Sequence, residues 1–213
     1  MRAITGIGSG NGPYISVHDD GSGGLTSSAA GFMPGSDRVM LDLHPYFAFS
    51  GSPNTEPINT GTGAGAGGVW PGRACSGWGP DMNTSQALGI TIAGEFSGGY
   101  NDCGLFVRGV GITPVFGGDC AIWDDSSNWD ASTKAGVKAF IMASMDALQN
   151  WYFWTWKVTL FFFRLGYCLF YSSLTNLPTL MIQIGNSTAG RVEAPLWLYQ
   201  LGLQNGWIPD DPR

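Results

Sequence analysis

A chain of 213 residues with 44% hydrophobic content and mean hydropathy +0.04 has enough apolar material for one domain with a sizeable core, which argues against disorder over most of its length. Charged residues make up only 12%, against about 25% in ordinary globular chains, while Gly reaches 33 and aromatics 13%. A net charge of −6 and a pI near 4.6 oppose a nucleic-acid partner, whose binding rests on Lys and Arg releasing counterions from phosphates. The aromatic surplus points instead to an uncharged ligand with flat apolar faces, such as a carbohydrate.

Taken in chain order, Met1-Arg2-Ala3-Ile4-Thr5-Gly6 lacks the apolar stretch and small-residue cleavage site of a secretory signal. The first strand-like run, Gly12 to Val17, ends at His18-Asp19. A second, Arg38 to Leu43, leads into His44-Pro45-Tyr46, with Phe49 close behind. Residues 50–68 are rich in Gly, Thr, Asn and Pro and read as loop. They contain a formal G-x-G-x-x-G at Gly63, Gly65 and Gly68, but no strand precedes it and Val69-Trp70-Pro71 follows in place of a helix, so a dinucleotide site is rejected. A third run, Gly89 to Gly94, ends at Glu95. Cys103 and Cys120 bracket a Gly-rich loop at a spacing that could close as a disulfide, while Cys75 and Cys168 have no evident partner.

Asp130 is a plausible N-cap for a helix over 131–149, with Val137, Phe140, Ile141, Met145 and Leu148 on one apolar stripe. The fourth run, Trp151 to Trp154, ends at Thr155-Trp156-Lys157. Runs separated by loops or helices favour parallel βα units over a meander. Residues 158–183 break the style of the rest, with two aromatic-rich clusters around a single Arg164. A membrane span needs roughly 20 mainly apolar residues, and Arg164, Ser172-Ser173 and Pro178 interrupt this one, so a membrane role is not favoured. Two sequons, Asn83-Thr84-Ser85 and Asn186-Ser187-Thr188, suit a secreted protein.

Of the three glutamates, Glu56, Glu95 and Glu193, only Glu95 stands at the end of a strand-like run. In a parallel barrel the side chains there face the catalytic opening, and a carboxylate so placed can attack an anomeric carbon. The bland alternative is a glutamate held by backbone amides. His44 and Tyr46 follow another strand and could reach the same opening as hydrogen-bond partners, although a lone His is often structural. Trp154 and Trp156 alternate, so within a strand one would enter the packing and the other would reach the opening, where an indole stacks on a sugar. No cluster has zinc-ligand spacing and no G-x-S-x-G elbow occurs, so no cofactor or metal is expected and a carboxylate mechanism remains.

Several stretches together resemble one family, the fungal glucan 1,3-beta-glucosidases, exo-acting β-1,3-glucanases of glycoside hydrolase family 5. They are Leu41-Asp42-Leu43-His44-Pro45-Tyr46-Phe47-Ala48-Phe49, the run from Ala93-Gly94-Glu95 to Asp102-Cys103, Phe153-Trp154-Thr155-Trp156-Lys157, and the tail from Val192 to Trp207. The resemblance implies an α/β fold, a (β/α)8 TIM barrel of which this chain supplies about strands five to eight. It also implies a retaining mechanism with two glutamates about 5 Å apart. By the resemblance, Glu95 is the nucleophile and His44 and Tyr46 support it. Phe49 is an entrance aromatic, Trp156 the platform under the sugar, His18 a residue at the end of the fifth strand, and Cys103 and Cys120 a disulfide. The implied partner is β-1,3-glucan, and the implied location of the complete protein is extracellular or at the cell wall.

The sequence departs from the pattern in three ways. The acid/base glutamate of the family follows an Asn at the end of the fourth strand, and no Asn-Glu pair occurs here. The expectation is a C-terminal half of the barrel, 1–157 and 184–213, that is inactive and aggregation-prone alone. Second, Trp-Thr-Trp-Lys in the family continues into a segment like Ile184-Gly185-Asn186-Ser187, so residues 158–183 read as an insertion, a translated and unspliced intron. Third, the family continues to a cysteine that pairs with the one matched by Cys75. The competing class is a non-catalytic, wall-associated glucan-binding protein.

Overall fold

The computed structural model describes residues 13–19, 38–86, 89–156 and 194–211. Four strands form one sheet in the order β1 (Ile15–His18), β2 (Val39–Leu43), β3 (Ile90–Phe96) and β4 (Trp151–Phe153), every neighbouring pair parallel. The α/β character and the parallel pairing agree with the sequence reading. Each strand is a short, mainly apolar run, and each crossover to a parallel neighbour needs a long connection. The register sets Ile15 beside Val39 and Met40 beside Ile90. Between β3 and β4 it slips, because Ala93 pairs with Trp151 and Phe96 with Phe153, leaving Gly94 and Glu95 in a bulge.

Two long helices cover one face of the sheet. Helix α1 (Trp70–Gln86) begins where the sequence reading placed no helix. Pro71, Pro80 and three glycines hide it from propensity arguments, since each weakens a helix interior. What holds it is packing: Trp70, Ala74, Met82 and Ser85 recur at helical spacing and are all buried. After the short α2 (Ala121–Asp124), α3 (Ala131–Leu148) matches the expected helix to within one residue. The Asp130 side chain accepts Thr133 N–H at 2.7 Å, an N-cap that satisfies one of the free amides of the first turn. All five residues of the expected stripe are buried. At Gly136 an added Cβ would lie 1.9 Å from the Ile58 carbonyl oxygen, so α3 lies directly against the 50–68 loop.

The core is unusually aromatic. Trp70, Tyr100, Trp123, Trp129 and Trp207 are buried and touch in sequence, for example Trp70 with Tyr100 at 4.7 Å and Trp129 with Trp207 at 4.8 Å between ring centroids, and buried Phe140 lies against Trp70 and Tyr100. Cys103 and Cys120 form the disulfide, with Cα atoms 5.2 Å apart, and Cys75 is exposed and unpaired. Buried Asp102 braces the loop that the bridge closes, accepting Val115 and Phe116 N–H at 2.7 and 2.9 Å and pairing with Arg108. The last helix, α4 (Tyr199–Asn205), ends at Gly206 in the left-handed region at φ +86°, and Gly206, Trp207 and Ile208 all donate to the Gly202 carbonyl.

No helix among the described residues is long and apolar enough to cross a membrane. The segment 158–183 with Cys168, the second sequon and Glu193 lie outside the described residues. The first sequon lies on α1, where exposed Asn83 accepts from Gln149.

Candidate active site

The C-terminal ends of the four strands converge on one carboxylate. Glu95 is the penultimate residue of β3 and, with Gly94, makes up the bulge against β4, a device that re-aims side chains next to functional sites. Phe96 turns into the core against Trp151 and Phe153, so Glu95 projects to the opposite, open face. Tyr46 donates its hydroxyl to Glu95 Oε2 at 3.0 Å, and His44 Nδ1 lies 3.4 Å from the same oxygen. On the far side of the imidazole, Nε2 is 3.5 Å from Asp42 Oδ1, and the ring of His18 lies 4.0 Å from that of His44.

The loop carrying Tyr46 is fixed from behind. Ala48 N–H bonds the Gly99 carbonyl at 3.1 Å, and the Asn54 amide bonds the carbonyls of Phe47 and Tyr100 at 3.1 and 2.8 Å. The phenol stacks on Trp197 at 5.1 Å, and Phe49 meets both rings. Burial, with the Glu95 charge and hydrogen bond adding to it, holds the Tyr46 hydroxyl far above its ordinary pKa. Tyr46 is therefore a permanent donor to the carboxylate at neutral pH.

Of the residues singled out from sequence, the structure brings Glu95, His44, Tyr46 and His18 together, with Phe49 against Tyr46. Trp156 stands one step away. It is 56% exposed and stacks on Tyr199 at 5.8 Å. The segment after β4 that carries it meets the site through the backbone: Trp154 N–H bonds the Phe96 carbonyl, Thr155 N–H that of Trp197, and Tyr199 N–H that of Thr155. The expectation that Trp154 and Trp156 would divide between packing and opening is corrected. β4 ends at Phe153, and both indoles are exposed.

Sequence reasoning missed Asp42, Gly94 and Trp197 as parts of the site. A carboxylate within the apolar run Val-Met-Leu-Asp-Leu, two residues before His44, was the available signal for Asp42. Trp197 carried none, being joined to the site only by tertiary contact. Among the described residues, no group of three or more His, Cys, Asp and Glu is arranged to hold a metal ion. The other glutamate described, Glu56, is bound to Arg73, and that hydrogen bond holds its carboxyl below the usual range.

A carboxylate with a phenol donor, an adjacent imidazole and exposed aromatic rings is a constellation suited to sugars, and comparison with known proteins agrees. No family model matches the chain. Curated relatives do. The glucan 1,3-beta-glucosidase of Schwanniomyces occidentalis is 27% identical over 132 residues, 56% of this chain and 28% of that protein. The chain is similar to fungal glucan 1,3-beta-glucosidases. The probable glucan 1,3-beta-glucosidase A of Emericella nidulans is 29% identical over 141 residues, 60% of this chain and 32% of its own length. The sporulation-specific glucan 1,3-beta-glucosidase of Saccharomyces cerevisiae is 27% identical over 135 residues, 56% of this chain and 28% of its own. The chain thus covers less than a third of the length of each of these glucan glucosidases.

Proposed function

We propose that this chain carries the nucleophile half of a retaining β-1,3-glucan glucosidase site, on four strands equivalent to the fifth to eighth of a (β/α)8 barrel. The observation that carries the reading is the double engagement of Glu95 Oε2 by Tyr46 and His44, at 3.0 and 3.4 Å, at the C-terminal edge of a parallel sheet. Glu95 attacks the anomeric carbon of a glucosyl unit, forming the ester bond as the bond to the leaving oxygen breaks. Tyr46 donates to the carboxylate and aims it. Phe49 and Trp156 offer exposed ring faces to the sugar.

Retaining hydrolysis also needs a carboxylic acid about 5 Å from the nucleophile to protonate the leaving oxygen. Among the described residues the one other glutamate, Glu56, is engaged by Arg73, so no described glutamate is set to serve as that acid and little glucose release from unactivated glucan is expected of them. Missing acid assistance lowers the rate by roughly 10²- to 10⁴-fold. The disulfide suits an oxidising compartment, so the proposed setting is the cell wall or the extracellular space.

The test uses a substrate that needs no acid, 2,4-dinitrophenyl 2-deoxy-2-fluoro-β-glucoside, whose leaving group departs unprotonated. The full chain should release one equivalent of dinitrophenolate and gain one fluoroglucosyl group, and Glu95→Gln should do neither. Laminarin binding without release in either protein would favour the glucan-binding class, for which the exposed aromatic rings alone suffice.

A further inference from the structure

The sequons take no part in the reaction just described, and the first of them lies on described structure. Asn83, Thr84 and Ser85 stand near the C-terminal end of α1, which closes at Gln86. Asn83 and Thr84 are exposed, whereas Ser85 is 1% exposed. Residues two apart on a helix do not share a face, so the amide and the hydroxyl of this one motif point away from each other. The Ser85 hydroxyl donates inward, to the Asp81 carbonyl at 2.7 Å, with the Met82 carbonyl at 3.1 Å. Asn83 is engaged through its oxygen: Oδ1 accepts from Gln149 Nε2 at 3.2 Å. That bond does not use Nδ2, the nitrogen that N-glycosylation modifies.

We propose that Asn83 is an N-glycosylation site, modified before α1 folds, whose glycan stands at the end of the sheet opposite Glu95. This rests on the proposed extracellular setting and owes nothing to the chemistry of Glu95. In the transfer, Nδ2 attacks the anomeric carbon of an oligosaccharide carried on a lipid diphosphate. The C–N bond forms as the anomeric C–O bond breaks, the lipid diphosphate leaves, and Nδ2 gives up one proton. The motif demands a hydroxyl two residues after the asparagine, so the transferring enzyme must reach both groups at once. In folded α1 the hydroxyl is sealed in the core and the amide faces out, which confines the transfer to the unfolded chain. The folded helix then tolerates the product. A glycan replaces one hydrogen of Nδ2 on an exposed side chain, and Oδ1 keeps its bond from Gln149. Helix α1 leads into β3 and α3 into β4, so Asn83 and Gln149 mark the N-terminal ends of those strands, while Glu95 lies at the C-terminal end of β3. The glycan is therefore kept clear of the edge where the substrate sugar is proposed to bind, and it adds polar surface to a chain with only 12% charged residues.

The test leads the full chain into the secretory pathway of a glycosylating yeast with a cleavable leader and recovers it from cells and medium. Peptide N-glycosidase in H₂¹⁸O leaves an ¹⁸O-labelled aspartate wherever it removes a glycan, and mass spectrometry maps the label. The peptide containing Asn83 should carry it in the wild type and lose it in Asn83→Gln and in Ser85→Ala. The second variant removes only a hydroxyl, at a helix position that alanine suits. Bare Asn83 in the wild type overturns the proposal whatever Asn186 carries, and so does a label that persists in Ser85→Ala. Because the transfer precedes folding, these results stand even if a variant does not fold. The order of events is read with purified oligosaccharyltransferase and its lipid-linked donor. The unmodified chain, reduced and unfolded, should be glycosylated at Asn83, and the folded chain with the Cys103–Cys120 bridge closed should not. Equal modification of the two overturns the sealed-hydroxyl argument. Failure of the setting is seen separately: a chain found reduced at Cys103 and Cys120 in the cells that make it contradicts the setting, whereas an oxidised chain with bare Asn83 contradicts the site.

Discussion

Glu95 and Phe96 are neighbours in sequence but belong to two differently built regions. On the Phe96 side the sheet is sealed by α1 and α3, and Phe96, Trp70, Phe140 and Ile141 are essentially without solvent contact. On the Glu95 side Ser16, His18, Asp42, His44 and Glu95 remain partly or fully exposed among the described residues, joined by polar contacts and covered by none of the described helices. The bulge at Gly94 and Glu95 is the seam between the two. The contrast teaches that the packing that stabilises this chain and the chemistry proposed for it occupy opposite faces of one sheet, so damage to one face should leave the other measurable.

The strongest way to break that separation is to reduce the disulfide on the packed side. It closes a loop of sequence separation 17, which corresponds to about 3 kcal/mol of stability in the loop-entropy account. Denaturant titration should find that loss, and fluoroglucosylation below the new midpoint should proceed at the original rate. A smaller loss is expected from Gly136→Ala, which drives a Cβ into the Ile58 carbonyl. Overpacking of this kind costs about 2 kcal/mol, again read by denaturant midpoint with the labelling rate unchanged.

Tyr46→Phe sharpens the comparison from the open side. It removes the hydrogen bond to Glu95 while keeping the ring on Trp197, so labelling should slow by about tenfold, corresponding to about 1.4 kcal/mol, with little change in Tm. The smallest effect concerns Asp130. Its bonds to Thr133 hold the carboxyl below the usual range, so its contribution is present above the unfolded pKa of about 4 and is lost as pH falls through the lowered folded value. Asp130→Asn keeps the cap without the charge, and its Tm should fall less steeply than that of the wild type over this acid range.

Much of this organisation could be read in the sequence. The four strands follow from apolar runs that end at polar residues, and Glu95, His44 and Tyr46 stood out because each ends or follows such a run. Helix α1 was hidden because proline and glycine outweigh its buried stripe in any local argument, and only packing against α3 reveals why it forms. Asp42 was passed over although its carboxylate interrupts an apolar strand, because Ser16 and Gly94, which engage it, come from the two neighbouring strands. Trp197 was hidden by distance, since Thr155 brings it beneath Tyr46 through backbone bonds that cross from 155 to 197. The alternation of Trp154 and Trp156 failed because the strand ends one residue earlier than its composition implies.

The central claim is that Glu95 is the atom-bearing nucleophile of a glucosyl-transfer site. Its most direct test is peptide mapping by mass spectrometry after reaction with the fluoroglucoside. The account predicts a single fluoroglucosyl ester on the peptide containing Glu95 and none in Glu95→Gln. A label on another residue, or an intact folded chain that takes up no label, would contradict it.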